Sequence, residues 1–365
     1  MSFTLFGLGT ALPAARVTQT EGLAVARALG GPEMADAAWL PTVYAHSGID
    51  ARHQAIGRPA LDDVLNGTRH SGSVFLPTGN SDDMGPTTAE RMRVYAAEAP
   101  PLAVKAARVA LTEARFEPES ITQLVTVSCT GFVAPGVDLA LIRGLGLRPT
   151  VERTHVGFMG CHGVLNGLRV ANAFSADPAA RVLLCAVELC SLHYYYGRQP
   201  DKVVANALFA DGAAAAVGQQ SDDPARWRVA ATGSCLIPDT ERAMGWLVGD
   251  HGFEMVLSRK IPDLIARNLR PWLEGWLSDN GLSVETVGCW AVHPGGPKVL
   301  AAVEEGLRLP REALAASRAV YAECGNMSSP TVLFILDRLR KSNASRPCVM
   351  LGFGPGLVAE VALWT

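Results

Sequence analysis

Three short segments hold the residue types that covalent chemistry needs. In Gly157-Phe158-Met159-Gly160-Cys161-His162-Gly163 a cysteine sits where a glycine-rich turn runs into 164–174, whose Val164, Leu165, Leu168 and Ala171 recur at helical spacing. The free N–H groups and dipole at a helix start favour an anion, so this placement predicts a lowered thiol pKa and a better nucleophile. Glycine on both sides leaves room for a bulky acyl group. Taken alone, the same cysteine also reads as a buried structural thiol. In Trp290-Ala291-Val292-His293-Pro294-Gly295-Gly296-Pro297 an apolar run ends in a histidine followed by a rigid loop. His293 there can accept a proton, hydrogen-bond a carbonyl or partner a thiolate, or simply cap a turn. In Glu323-Cys324-Gly325-Asn326-Met327-Ser328-Ser329-Pro330, Asn326 alone reads as a helix cap, and beside Cys161 and His293 as a second donor. Gly352-Phe353-Gly354-Pro355-Gly356 follows an apolar run and reads as a turn or as a scaffold loop lining a cavity.

The elements that must hold these segments alternate between short apolar runs and amphipathic stretches. Helices are predicted over 102–114, 137–145, 164–174, 298–306 and 329–340. Strands are predicted over 123–128, 181–187, 287–292 and 347–351, with another inside 205–217. The uninterrupted apolar run RVLLCAV at 181–187 is typical of a strand covered on both faces. Such alternation implies an α/β fold of mostly parallel strands, with active residues on loops at strand ends. The polar stretch QQSDDPA at 219–225 is the best boundary, dividing a half over 1–220 that carries the cysteine from a half over 221–365 that carries His293 and Asn326. The segment 30–100, punctuated by Pro and Gly, shows few clean periods.

Composition narrows the class. The chain has 365 residues, 48% hydrophobic and 18% charged, with positive mean hydropathy, enough to bury a large core. A net charge of −3 offers no polycationic surface for nucleic acid. The longest apolar stretch, 347–364, is broken by Gly352, Gly354, Pro355, Gly356 and Glu360, so no span of about 20 apolar residues is expected. The first residues carry no Lys or Arg ahead of their apolar run, which argues against a signal peptide. Eight cysteines without a CxxC pair or Cys/His ligand spacing fit reduced cytoplasmic thiols, with no metal site. Gly7-Leu8-Gly9 is too short for a dinucleotide fingerprint and GxxxxGK[ST] is absent.

Together GCHG at Cys161, ALFADG at Phe209, HGFEMVLS at Phe253, HPGGP at His293, GNMSSP at Asn326 and GFGPG at Gly352 resemble the type III polyketide synthases, the chalcone and stilbene synthase family of the thiolase superfamily. The resemblance covers nearly the whole chain. It implies the duplicated, five-layered αβαβα thiolase fold, a homodimer with one site per subunit, CoA thioesters (malonyl-CoA and an acyl-CoA) as substrates, and no cofactor. By position Cys161 is the nucleophile, able to pair with His293 at rest, and His293 with Asn326 forms the oxyanion hole for the malonyl thioester. Phe209 and Phe253 match the gatekeeper aromatics between CoA tunnel and cavity. Cys129, Thr130, Cys190, His193, Met244 and Ser328 line the cavity, with Pro355 on the scaffold loop. Cys129, Cys190 and His193 replace residues that are usually threonine in plant chalcone synthases, and ELCSLH resembles bacterial members making alkylpyrones or alkylresorcinols. A fatty acyl starter is therefore expected. The basic helix that holds CoA phosphates in plant members is nearly uncharged here (WLPTVYAH, 39–46), leaving His46, Arg52 and Lys298 as candidate CoA contacts.

Two other readings stay open at this stage. A ketoacyl-acyl-carrier-protein synthase shares the Cys–His–Asn set and stops after one condensation. A cysteine-dependent thioester hydrolase would release free acid without consuming malonyl-CoA.

Overall fold

Residues 2–31, 34, 36–80 and 82–365 are described in a computed structural model of the chain. Its thirteen strands among these residues are β1 (Thr4–Ala11), β2 (Ala15–Thr18), β3 (Ala51–Gln54), β4 (Gln123–Ser128), β5 (Glu152–Gly157), β6 (Arg181–Leu189), β7 (Asp211–Gln219), β8 (Val229–Leu236), β9 (Met244–Gly249), β10 (Gly252–Leu257), β11 (Cys289–Val292), β12 (Cys348–Gly354) and β13 (Val358–Trp364). Two large sheets result, ordered β1-β7-β6-β4-β5 and β11-β12-β13-β8. The chain crosses from one to the other after 219.

Sequence spacing located the internal strands well but not their directions. The pairs β4–β5, β4–β6 and β11–β12 are parallel, whereas β1–β7, β6–β7, β12–β13 and β8–β13 run antiparallel. The expectation of mostly parallel sheets is thus corrected. The turn between β12 and β13 is too short for a crossover and can only return the chain antiparallel. Apolar runs look alike in either direction when both faces are covered.

Three hydrophobic layers hold five structural ones together. The helices Thr88–Ala114 and Val137–Leu145 cover the outer face of the first sheet. The former is far longer than the predicted 102–114, because a capping box of Thr87 and Glu90 starts it early and it runs through Pro100 and Pro101. Its alanine-rich face lies so close to β1 that a Cβ on Gly9 would stand 2.2 Å from the Ala106 carbonyl oxygen, which accounts for glycine there. Ile261–Asp279 and Pro297–Leu307 cover the outer face of the second sheet. Gly163–Phe174 and Thr331–Lys341 lie between the sheets, the latter with Val332, Leu333, Ile335 and Leu336 fully buried. These two middle helices begin at the loops carrying Cys161 and Asn326, so the layering brings the two loops together. No helix among the described residues is long and apolar enough to cross a membrane.

Candidate active site

Cys161 lies in the single 3-10 turn Gly160–His162 that leads into the middle helix Gly163–Phe174. The turn is tight. Phe158 and Gly160 both take positive φ, +61° and +72°, and a Cβ at Gly160 would stand 2.6 Å from Pro355 Cδ. The GFGPG loop therefore packs directly over the turn that carries Cys161, which accounts for glycine at 160. The thiol is half-buried, and burial pushes its pKa up to about 11. Ser328 and Asn326 draw it down, while the Glu188 charge adds to the rise. The expected depression is overturned: loss of hydration outweighs the dipole of the helix start.

His293 ends the inner edge of the second sheet, its N–H donating to the Leu351 carbonyl at 2.8 Å. The ring is 1% exposed, and neither nitrogen has a hydrogen-bond partner among the described residues. The expected resting pair with Cys161 is thus not formed. Burial, and then the charge of His162 beside Cys161, push the imidazole down to about 3, so it is neutral. His162 is engaged elsewhere: its Nδ1 meets Asn166 Oδ1 at 2.9 Å and its ring lies against Gly354.

Asn326 is held by backbone on both sides, its N–H donating to the Leu208 carbonyl (2.9 Å) and its carbonyl accepting from Ala210 N–H (2.8 Å). This is a bridge to Phe209, which ties the Phe209 and Asn326 segments together. Its side-chain Oδ1 accepts from Ser328 N–H at 2.8 Å, leaving the buried Nδ2 without a hydrogen-bond partner among the described residues. Asn326 does not cap the helix Thr331–Lys341. Ser328 takes φ +57° and sets its hydroxyl 3.5 Å from Cys129 Sγ. Cys129, Thr130, Cys190 and Ser328 are all buried, and His193, Met244, Phe253 and Pro355 half-buried.

Glu188 is a residue that sequence reasoning passed over. Fully buried, it accepts from the N–H groups of Cys129 (2.9 Å) and Thr130 (3.1 Å) and from the hydroxyls of Thr130 (2.7 Å) and Ser329 (2.6 Å). It thereby ties the end of β4 to the loop of Asn326. Burial pushes its carboxyl up while these bonds hold it down. A single carboxylate inside the apolar run RVLLCAVEL was the available signal. Asp211 does the same for the turn Cys190–His193, accepting from Ser191 N–H (2.7 Å) and Ala55 N–H (2.6 Å).

The candidate CoA contacts separate. His46 and Lys298 are exposed, and Gly48 approaches Pro297, so their two segments meet at the surface. Arg52 is corrected. It is 1% exposed, and its Nη1 donates to Tyr194 Oη (2.9 Å) and to the carbonyls of Asn206 (2.5 Å) and Phe209 (2.8 Å). The pairing of β3 with β2 carries it inward, where it braces the Phe209 segment and cannot reach a phosphate in solvent.

Two α/β halves, five layers and a cysteine turn at their junction are the thiolase fold. The sequence patterns of chalcone and stilbene synthases match twice, the N-terminal domain over residues 78–222 and the C-terminal domain over 228–364. The chain is 33% identical over 335 residues to "alpha-pyrone synthesis polyketide synthase-like Pks18" of Mycobacterium tuberculosis, covering 89% of this chain and 81% of that one. It is 36% identical over 362 residues to 1,3,6,8-tetrahydroxynaphthalene synthase of Streptomyces peucetius, covering 97% and 90%. PKS-I from the brown alga Ectocarpus siliculosus superposes with a TM-score of 0.91 at 33% identity, over 100% of this chain and 98% of that one. The chain belongs to the chalcone and stilbene synthase family.

Proposed function

We propose that this type III polyketide synthase loads an acyl group from a fatty acyl-CoA onto Cys161 and extends it with malonyl-CoA. The Cys161 sulfur attacks the starter thioester, the thiol's proton passes to the departing sulfur, and CoA leaves as the thiol. Malonyl-CoA then loses CO2, and its thioester oxygen gathers the negative charge of an enolate. The enolate carbon attacks the acyl carbonyl, a C–C bond forms, and the Cys161–acyl bond breaks. Two or three such rounds and a ring closure release an alkyl-α-pyrone or an alkylresorcinol-type product. The name of the Mycobacterium relative supports the pyrone.

One observation carries this reading: the His293 ring and Asn326 Nδ2 are buried polar groups with no partner among the described residues, Asn326 acting on the Cys161 thiol and His293 facing its neighbour His162. Donors held unpaired in a dry site suit an oxygen whose charge develops only during reaction, each worth roughly 3 kcal/mol. A hydrolase would need a water held at the thiol, and a single-round synthase a carrier protein; neither is favoured by these residues. His46 and Lys298 are proposed as contacts to CoA phosphates, and Phe209 and Phe253 as gatekeepers. No cofactor is proposed beyond the CoA of the substrates. We also propose a homodimer, supported by exposed Phe132, Phe158 and Met159 side by side near the site. A cytoplasmic location is supported by the eight free cysteines, and a division between halves at 219–225 by the change of sheet there.

The test is mass spectrometry of reactions with malonyl-CoA and acyl-CoAs of graded chain length, with Cys161→Ala as control. Products heavier than the starter by whole acetate units, absent with the variant, are expected. Product from malonyl-CoA alone would remove the fatty starter. Free acid with malonyl-CoA intact would overturn the condensation.

A further inference from the structure

The hairpin of β9 and β10 is held to the rest of the molecule at several points, and His193 is one of them: Gly356 N–H donates to the Met244 carbonyl (3.1 Å), Lys202 Nζ donates to the Glu254 carboxylate (2.9 Å), and His251 Nδ1 lies 2.9 Å from the Gly85 carbonyl oxygen. At the hairpin's turn, Thr88 N–H donates to the Asp250 carbonyl (2.7 Å) and Thr88 Oγ1 accepts from Gly252 N–H (2.8 Å). One residue further on, Phe253 N–H donates to His193 Nδ1 at 3.1 Å, and His193 Nε2 lies 2.7 Å from the Thr130 carbonyl oxygen. One neutral tautomer, protonated on Nε2, satisfies both bonds. Burial keeps the ring neutral, pushed down to about 4. The histidine is itself immobilised, because Arg91 Nη1 bonds the carbonyls on either side of it, Leu192 and Tyr194 (3.1 Å).

The same ring begins an aromatic column. His193 stacks on Phe253 at 4.0 Å and 12°, Phe253 stacks on Trp246 at 5.1 Å and 9°, and Trp246 meets Phe158 at 5.1 Å. Phe158 belongs to the turn that carries Cys161. In the other direction Thr130 adjoins Cys129, whose sulfur faces Ser328 beside the nucleophile. The column therefore closes a wall that starts and ends at Cys161, and His193 is the joint where strand β10 meets the loop after β4.

We propose that His193 is a specificity-determining positioning residue, a two-point hydrogen-bonded latch that fixes Phe253 and its hairpin and so limits the length of chain that can grow on Cys161. This rests on the condensing activity proposed above. Its content differs from a simple filling of space, since the direction of two hydrogen bonds carries it. A glutamine side chain offers a donor and an acceptor side by side as the imidazole does, and a leucine of similar bulk offers neither.

The test compares His193→Gln and His193→Leu in the full chain, by amide hydrogen exchange of 244–257 and by product mass spectra with graded acyl-CoAs and malonyl-CoA. With two bonds lost, the leucine variant is expected to exchange this segment about tenfold faster or more, and to yield longer products. The glutamine variant is expected to return both readouts toward the parent. Equal behaviour of the two variants in exchange would overturn the latch, and faster exchange with an unchanged product spectrum would overturn its role in specificity. A glutamine variant that restores exchange shows that the parent latch acts through hydrogen bonds even if the leucine variant is too unstable to assay. If the parent protein extends no CoA thioester at all, the proposed function fails, and the exchange rates alone then decide whether His193 holds the hairpin.

Discussion

Two buried polar clusters flank Cys161, and they are completed to opposite degrees. Around Glu188 two backbone N–H groups and two hydroxyls converge within hydrogen-bond distance on one carboxylate. At His293 and Asn326, equally buried, the imidazole nitrogens and the amide Nδ2 have no hydrogen-bond partner among the described residues. An unsatisfied buried polar group costs about 1–3 kcal/mol, so a fold that supplies every partner to one cluster could have done so for the other. On the proposed function the contrast separates scaffold from a site kept open for a ligand: Glu188 ties the wall together, and the unpaired His293 and Asn326 suit an incoming oxygen.

Substitutions separate the two roles. His293→Ala and Asn326→Ala are each expected to slow malonyl-CoA decarboxylation by roughly 100- to 1,000-fold, as loss of one preorganised oxyanion donor does. The thermal stability of His293→Ala should fall little, since no hydrogen bond of the imidazole is lost, whereas Asn326→Ala also removes the Oδ1 acceptor of Ser328 N–H and should cost about 1 kcal/mol more; decarboxylation assays beside melting curves check both. A matching loss of stability would erase the distinction.

Glu188→Ala should behave in the opposite way. It strands several buried donors and is expected to destabilise the fold by about 3 kcal/mol or more, read by denaturant unfolding. An unchanged unfolding midpoint would remove Glu188 from the scaffold.

Asp211 sharpens the comparison through pH. Burial pushes its carboxyl from the usual 3.8 up to about 6. An acid whose folded pKa is raised holds its proton longer in the native state. Its contribution is therefore full below about pH 3.8 and is lost as pH rises through about 6. At roughly 1.4 kcal/mol per pKa unit the swing is about 3 kcal/mol. The melting temperature of Asp211→Asn relative to the parent should accordingly rise between these pH values. A flat difference would show Asp211 unperturbed.

The smallest effect belongs to the surface. Lys298→Ala is expected to raise KM for malonyl-CoA a few-fold with kcat unchanged, about 1 kcal/mol for an exposed charge, and the effect should shrink in high salt. A change confined to kcat would remove Lys298 from CoA binding.

The site was legible in the sequence wherever the signal was local. Cys161 between glycines at a helix start, His293 at a strand end before Pro-Gly-Gly, and Pro355 in a glycine loop each announce their backbone setting within a few residues. Arg52 was misread because its neighbours in sequence are a surface-like SGIDARH, whereas its burial comes from Tyr194, Asn206 and Phe209, more than 140 residues away. The hairpin that presents Phe253 was readable as a motif but not as a hairpin latched by His193, since the atoms that hold it lie on residues distant in sequence, among them Thr88, His193 and Gly356.

By itself the sequence determined the alternation of strands and helices, the residues able to do thioester chemistry and the family resemblance, because these depend on neighbours within a turn or a strand. The tertiary structure alone decided strand direction, the raised thiol of Cys161, the unpaired state of His293 and the partners of Glu188. Those depend on which surfaces the fold removes from water and which distant backbone groups it sets against them, and no local pattern encodes either.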